Sequence, residues 1–196
     1  MPNMIKVGLK LLIITTLAAF CLSLTNLGTA GPIKEQKINA ANAARKAVLP
    51  EAETFDAIEI DSEYSGEGTS VRISEIYTGK TDNDLVGYIF RILSKGYGGD
   101  IEIIAAINTE GKIEAVEIGE HSETPGLGAK ADEESFKDQY RGKSVEKPLV
   151  VVKGKASGSE QIEALSGATI TTKAVTEAVN AAVKYYNSVL KTGGEG

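Results

Sequence analysis

Near the C-terminal end, Ser166-Gly167-Ala168-Thr169-Ile170-Thr171-Thr172 sets hydroxyls around two small residues, just ahead of a long helical pattern. Two chemistries suit that arrangement. A Ser or Thr side chain can cap the free N–H groups of a helix start. The same geometry also binds an anion: Gly167 and Ala168 let a phosphate approach the backbone, unpaired N–H groups point at it, and the helix dipole favours negative charge. Three hydroxyls, at Thr169, Thr171 and Thr172, are more than one cap requires. A second segment, His121-Ser122-Glu123-Thr124-Pro125-Gly126-Leu127-Gly128, crowds an imidazole, a carboxylate, two hydroxyls and two glycines into one loop. It reads either as a surface turn with Pro125-Gly126 at its corner or as a pocket wall for a planar polar ligand. Gly96-Tyr97-Gly98-Gly99 is a third, glycine-rich turn.

Other chemistry is excluded by what is missing. One Cys and one His rule out disulfide frameworks, Cys-rich metal sites, paired-His sites and a Cys–His catalytic pair. No G-x-S-x-G elbow, phosphate-binding lysine motif or G-x-G-x-x-G after a strand is present. A net charge of -6 argues against a nucleic-acid binder. The acidic runs Asp132 to Glu134 and Glu51 to Asp61 read as solvated surface.

The elements that must position these segments divide sharply. Residues 11–33 carry no charge, and only Lys6 and Lys10 are charged before residue 34. An apolar run of this length spans a bilayer, which needs roughly 20 residues. A cleaved signal peptide shares the pattern, with Gly28-Thr29-Ala30 as a passable cleavage site, but its apolar stretch is roughly 7–15 residues. The run's length favours a retained anchor, closed at its far end by Gly28, Gly31 and Pro32. Phe20 before Cys21 argues against a lipoprotein. Lys and Arg counts on the two sides do not place the soluble part.

Beyond the anchor, residues 34–49 predict a helix stopped by Pro50. Strands are expected over 55–92, with turns at Gly66 to Thr69 and Lys80 to Asp84. Ile101 to Asn108 and Ile113 to Ile118 form a hairpin. Residues 132–141 form a short helix presenting Phe136 and Tyr140, and Leu149 to Val152 is a short buried strand. Ala174, Val175, Ala178, Val179, Ala182, Val183 and Tyr186 make an apolar stripe on a helix running to about Leu190, ended by Gly193 and Gly194. The fold class is α+β: a twisted sheet with packed helices on one N-terminal transmembrane helix. The divisions are a tail at 1–10, the anchor at 11–33, a leader helix at 34–50, a domain at 51–192 and a tail at 193–196.

Together the segments are no longer anonymous. Glu163-Ala164-Leu165-Ser166-Gly167-Ala168-Thr169 resembles the flavinylation motif of the FMN-binding domain family, Asp-x-x-[Ser/Thr]-Gly-Ala-Thr, whose last Thr carries FMN through a phosphoester. His121 to Lys130 resembles the family's second signature. Gly96 to Gly99 and Ala43 to Pro50 are further matches. With one anchor and under 200 residues, the chain is similar to the G-subunit family of Rnf-type ion-translocating ferredoxin:NAD+ oxidoreductase complexes. It is also similar to the longer C subunits of sodium-pumping NADH:quinone reductases. One position departs: Glu163 stands where the motif has Asp.

The resemblance implies covalent FMN on Thr169, with Ser166, Gly167 and Ala168 cradling the phosphate. It implies that Glu123, Thr124, Pro125, Gly126, Leu127 and Gly128 line the ring or ribityl side, with Tyr97 and Gly98 nearby. Lys130 would pair with the phosphate or the reduced ring, and His121 would be a hydrogen-bonding wall rather than an acid–base catalyst. It further implies a flavin transferase for maturation, other membrane subunits of a redox complex as partners, and a single-pass protein of the cytoplasmic membrane with its domain outside. The function implied is that of a membrane-anchored electron carrier within the complex. The alternatives are a C-type subunit of the sodium-pumping NADH:quinone reductase or a stand-alone anchored flavoprotein, and a cofactor-free anchored binding or scaffold domain.

Overall fold

The computed structural model describes residues 2–60, 64–65 and 70–191. The turn expected at Gly66 to Thr69, the glycines expected to end the last helix and the 193–196 tail lie outside the described residues. The chain divides into two compact units, Met1–Ala43 and Ala44–Gly196.

Helix α1, Pro2–Val48, runs through both anchor and leader as one element. Its stretch Ile5–Thr29 has the length and mean hydropathy, 2.1, of a membrane-crossing helix, and none of it is buried against protein. Gly28, Gly31 and Pro32 do not end it, contrary to expectation. Proline removes one backbone N–H, and the turns on either side keep theirs. The helix stops at Val48, two residues before Pro50.

The second unit is built on an antiparallel sheet ordered β1 (Thr54–Ile58), β3 (Val71–Thr81), β4 (Asp84–Lys95), β5 (Asp100–Asn108) and β6 (Ile113–Ile118), with the two-residue β2 (Tyr64–Ser65) also on β3. Asp82 and Asn83 turn the β3–β4 hairpin at φ 51 and 74, left-handed values these two residue types tolerate. The expected β5–β6 hairpin is present, with Ala105 opposite Val116.

Both faces of the sheet are covered, so β5 is buried from Ile103 to Ile107 rather than alternating. One face, with Phe90, Ile92, Ile103 and Ala105, packs against the stripe of helix α3, Thr169–Tyr185. The other, with Ile89, Ile104, Ala106 and Ala115, packs with Val48, Leu49 and Ala52. A π-helical turn over Tyr186–Leu190 follows α3.

Two local expectations differ. Only Glu134–Lys137 is α-helical (α2), preceded by a 3-10 turn at Gly128–Asp132. Phe136 and Tyr140 are nonetheless buried together, edge to face with centroids 5.6 Å apart. Strand β7, Val150–Val152, is not a buried strand: it pairs only with β8, Gln161–Glu163, in a parallel ribbon, and Val150 is 51% exposed. The irregular chain before it is held by side chains of α3. Asn180 accepts the Leu149 N–H and donates to the Leu149 carbonyl (2.8 and 2.9 Å), and Thr176 hydrogen-bonds the Tyr140 hydroxyl at 2.9 Å. The two Asn180 bonds satisfy the Leu149 backbone groups that strand pairing leaves open there.

On the leader-side face, Arg45 lies 3.8 Å over the Tyr77 ring, Tyr77 donates to Glu75, and Arg91 bridges Glu75 and Glu102. Burial alone would raise the Glu75 carboxyl, but the Tyr77 hydroxyl and the Arg91 and Arg45 charges outweigh it and hold it below the ordinary value. A depressed carboxyl stabilises the fold above its unfolded pKa, and that contribution disappears as pH falls through the folded one. Glu75→Gln is therefore expected to be less stable than wild type near neutrality. The gap should close as pH drops below about 4.3, the free Glu value. Urea midpoints of the detergent-solubilised protein at the two pH values measure this, and a gap that persists in acid contradicts it.

Candidate functional site

From β8 the chain passes through Ala164 to Ala168 and enters α3 at Thr169. Gly167 makes the turn at φ +75, in the left-handed region. The helix start has no side-chain cap: Ala168 is its N-cap and makes no side-chain hydrogen bond to it. The capping reading of the hydroxyls is thus overturned. Thr172 instead braces the preceding turn, donating to the Ala168 carbonyl and accepting the Leu165 N–H, both at 3.1 Å. The Thr172 N–H reaches the Ala168 carbonyl at 3.0 Å. The amides of Thr169, Ile170 and Thr171 precede that bond and form the electropositive end of the helix.

The 121–128 loop follows the strand β6. Thr124-Pro125-Gly126-Leu127 closes a turn through Leu127 N–H to the Thr124 carbonyl, 3.1 Å, with Gly126 at φ +77. Pro second and a left-handed Gly third are the residues a type II turn requires. His121 stands just before it and accepts the Glu123 N–H on Nδ1 at 3.2 Å, leaving Nε2 to meet Asp132 at 3.0 Å. It braces the loop and is not a wall of the cavity described below, where the sequence reading expected it. It faces a different depression, lined with Asp100, Glu102 and Glu120. Asp132, expected to be plain solvated surface, is drawn into that pair.

Glu123 joins the pieces. It is 6% exposed. Its Oε1 accepts the Gly98 N–H at 2.8 Å, and its Oε2 accepts the hydroxyl of Thr171. The glycines around it leave room for nothing larger. A methyl group at Gly96 would lie 2.5 Å from Oε1, one at Gly128 would strike Oε2 and the Thr171 hydroxyl, and one at Gly98 would strike the Ser122 carbonyl.

The result is a cavity of about 560 Å³ lined by Tyr97, Glu123, Thr124, Leu127, Gly128 and residues 167–171. Its volume is that of a small-molecule site. The residues around it have distinct characters. Tyr97, Leu127 and Ile170 are 72%, 44% and 55% exposed, an apolar rim suited to a flat aromatic ring. The uncapped helix end suits an anion. Thr169 is half-buried between the two, and its hydroxyl has no partner among the described residues.

Of the residues expected at the site, Thr169, Gly167, Ala168, Glu123, Thr124, Leu127, Gly128 and Tyr97 come together here. Ser166, Pro125, Gly126 and Lys130 are exposed and do not line the cavity; Gly98 serves it through Glu123. Sequence reasoning missed Ile170 and Thr171. Ile170 stands four residues before Ala174, so its spacing assigns it to the buried stripe, although it is exposed. Thr171 gave no signal beyond its hydroxyl.

Comparison with known proteins bears directly on this cavity. Residues 96–184 match the FMN-binding domain family, a span that contains every lining residue. The chain is 40% identical to the G subunit of the Na(+)-translocating ferredoxin:NAD(+) oxidoreductase complex of Acetobacterium woodii, over 95% of this chain and 93% of that protein. It is 34% identical to the G subunit of the proton-translocating ferredoxin:NAD(+) oxidoreductase complex of Clostridium ljungdahlii, over 84% and 80%. The fold is similar to the crystal structure of the C subunit of the Na(+)-translocating NADH-quinone reductase from Parabacteroides distasonis. That match has a TM-score of 0.56 and 20% identity, and covers 78% of this chain and 96% of that one.

Gly128→Ala is expected to destabilise the domain by about 1–3 kcal/mol, the usual range for overpacking, because the added methyl meets the Glu123–Thr171 bond. Ser122→Ala, on an exposed side chain, should stay within about 0.5 kcal/mol of wild type. Equal urea midpoints for the two variants would contradict the tight packing described.

Proposed function

From a chain that belongs to the G-subunit family of ion-translocating ferredoxin:NAD+ oxidoreductase complexes, we infer a membrane-anchored electron-transfer protein whose cavity holds FMN covalently on Thr169. The observation that carries the attachment is how the hydroxyls are sorted. Thr171 is committed to Glu123 and Thr172 to the 165–168 turn. Thr169 alone of the three is half-buried in the cavity wall with no partner among the described residues.

The residues present fit the cofactor. The amides at the start of α3, with Gly167 and Ala168, take the phosphate. Tyr97, Leu127 and Ile170 flank the ring, and Thr124 and Gly128 wall the space between. Bound there, FMN supplies reversible electron transfer, and the protein supplies orientation and surroundings. Glu163 is exposed and its backbone is held by Gln139, so its carboxylate is open to a flavin transferase despite its departure from Asp. Attachment through the phosphate leaves the ring unaltered and keeps the site loaded where no pool of free FMN exists. That need supports an extracytoplasmic domain.

The uncharged 11–33 stretch offers no carboxylate or basic group to carry an ion. The ion pathway belongs to the other membrane proteins of the complex, which are this chain's partners.

Coexpression with a flavin transferase should raise the intact mass by one FMN less one water. Thr169→Ala should abolish the gain, while Thr171→Ala and Thr172→Ala keep it. An adduct that survives Thr169→Ala and is lost in Thr172→Ala would refute the assignment. For the side of the membrane, Lys155→Cys should be labelled in intact cells by a membrane-impermeant maleimide. Labelling only after lysis would place the domain inside.

A further inference from the structure

Glu123 lies in the wall of the cavity, and both of its carboxylate oxygens are engaged by the protein. One oxygen is occupied by the Gly98 N–H and the other by the Thr171 hydroxyl. Its own N–H is occupied by His121. Among the described residues no Lys or Arg forms an ion pair with it, so its charge rests on these donors and on the positive end of α3. Thr171 is the third residue of that helix, two positions from Thr169.

We propose that Glu123 is a positioning residue for the flavin. It locks the Gly98 turn and the Thr124–Gly128 wall onto the first turn of α3, and so sets the distance between the attachment point and the ring pocket without touching the ring. The inference rests on the reading that the cavity holds FMN, and it changes Glu123 from a lining contact into the part that keeps the lining together. Two features require it. Among the described residues, hydrogen bonds of this one side chain tie the Gly98 turn to Thr171 in the first turn of α3. The glycines at 96, 98 and 128 bring the backbone so close that no bulkier residue could take over the clamp.

The test uses full-length, flavin-loaded protein in detergent. Intact mass and flavin fluorescence anisotropy are recorded for wild type, Glu123→Ala, Glu123→Gln, Thr171→Val and the Glu123→Gln/Thr171→Val double variant. All should carry the adduct mass. Anisotropy should fall most in Glu123→Ala and part way in Glu123→Gln, which keeps an oxygen for the Gly98 N–H. The double variant should be no lower than the lower of its two single variants, because both substitutions act on the same bond: Gln leaves no carboxylate oxygen for the Thr171 hydroxyl, and Val leaves no hydroxyl. In protein made without the transferase, the Gly98 amide should exchange roughly ten- to hundredfold faster in Glu123→Ala, the loss expected for a charge-assisted hydrogen bond.

If Glu123→Ala fails to fold, Glu123→Gln and Thr171→Val carry the test. Unchanged anisotropy in folded, loaded variants overturns the positioning role and leaves the FMN reading standing. Strictly additive losses overturn it as well. A wild type without adduct overturns the FMN reading, and the proposal with it.

Discussion

A single buried carboxylate holds the site together. Glu123 is removed from water, which is unfavourable for a charge unless donors replace the lost hydration. The donors come from Gly98 and Thr171, far from it in sequence and from each other, and the positive end of α3 adds to them. The demand for those donors fixes how the glycine turn after β4, the loop after β6 and the start of α3 come together. It also explains the local composition. Gly96, Gly98 and Gly128 are glycines because the backbone must pass within contact distance of that carboxylate and its neighbours.

Helix α3 serves two roles along its length. Its stripe of Ala and Val fills one face of the sheet, and its first turn is left uncapped at the cavity. The stiffness of the packed part is passed to the first turn, so Thr169 is held by the core rather than by a loop. Rigid support of this kind keeps a small site accurate. The polar side chains on the same helix, Thr176 and Asn180, fasten the irregular 140–149 segment that sequence patterns place poorly. An electron carrier whose reactive group is imported needs little else, which accounts for a chain with one His, one Cys and no catalytic set.

Much of this was legible in the residues. The charge-free run marked the anchor, the 3.6-residue stripe marked α3, and alternation with turn residues marked the β5–β6 hairpin. The two signatures at 121–130 and 163–169 singled out most of the cavity. Other features were not legible, for identifiable reasons. Pro32 looks like a stop but lies within a continuous helix. Val150 has the composition of a buried strand, yet its partner ribbon leaves it exposed. The hydroxyl-rich start of α3 looks capped, yet Thr172 turns back to the preceding loop and Thr171 turns to Glu123.

The sequence by itself determined the α+β class, the anchor, the family resemblance and most of the residues that line the cavity, because these depend on local periodicity and on short motifs. Only the tertiary structure decided which hydroxyl stays without a partner, that His121 faces a separate depression, that Ile170 and Thr171 join the lining, and that both Glu123 oxygens are engaged by the protein. The reason is physical: a hydrogen bond between residues 48 positions apart, as between Glu123 and Thr171, leaves no trace in local spacing. It becomes visible only when burial brings the two groups together and excludes the water that would otherwise satisfy them.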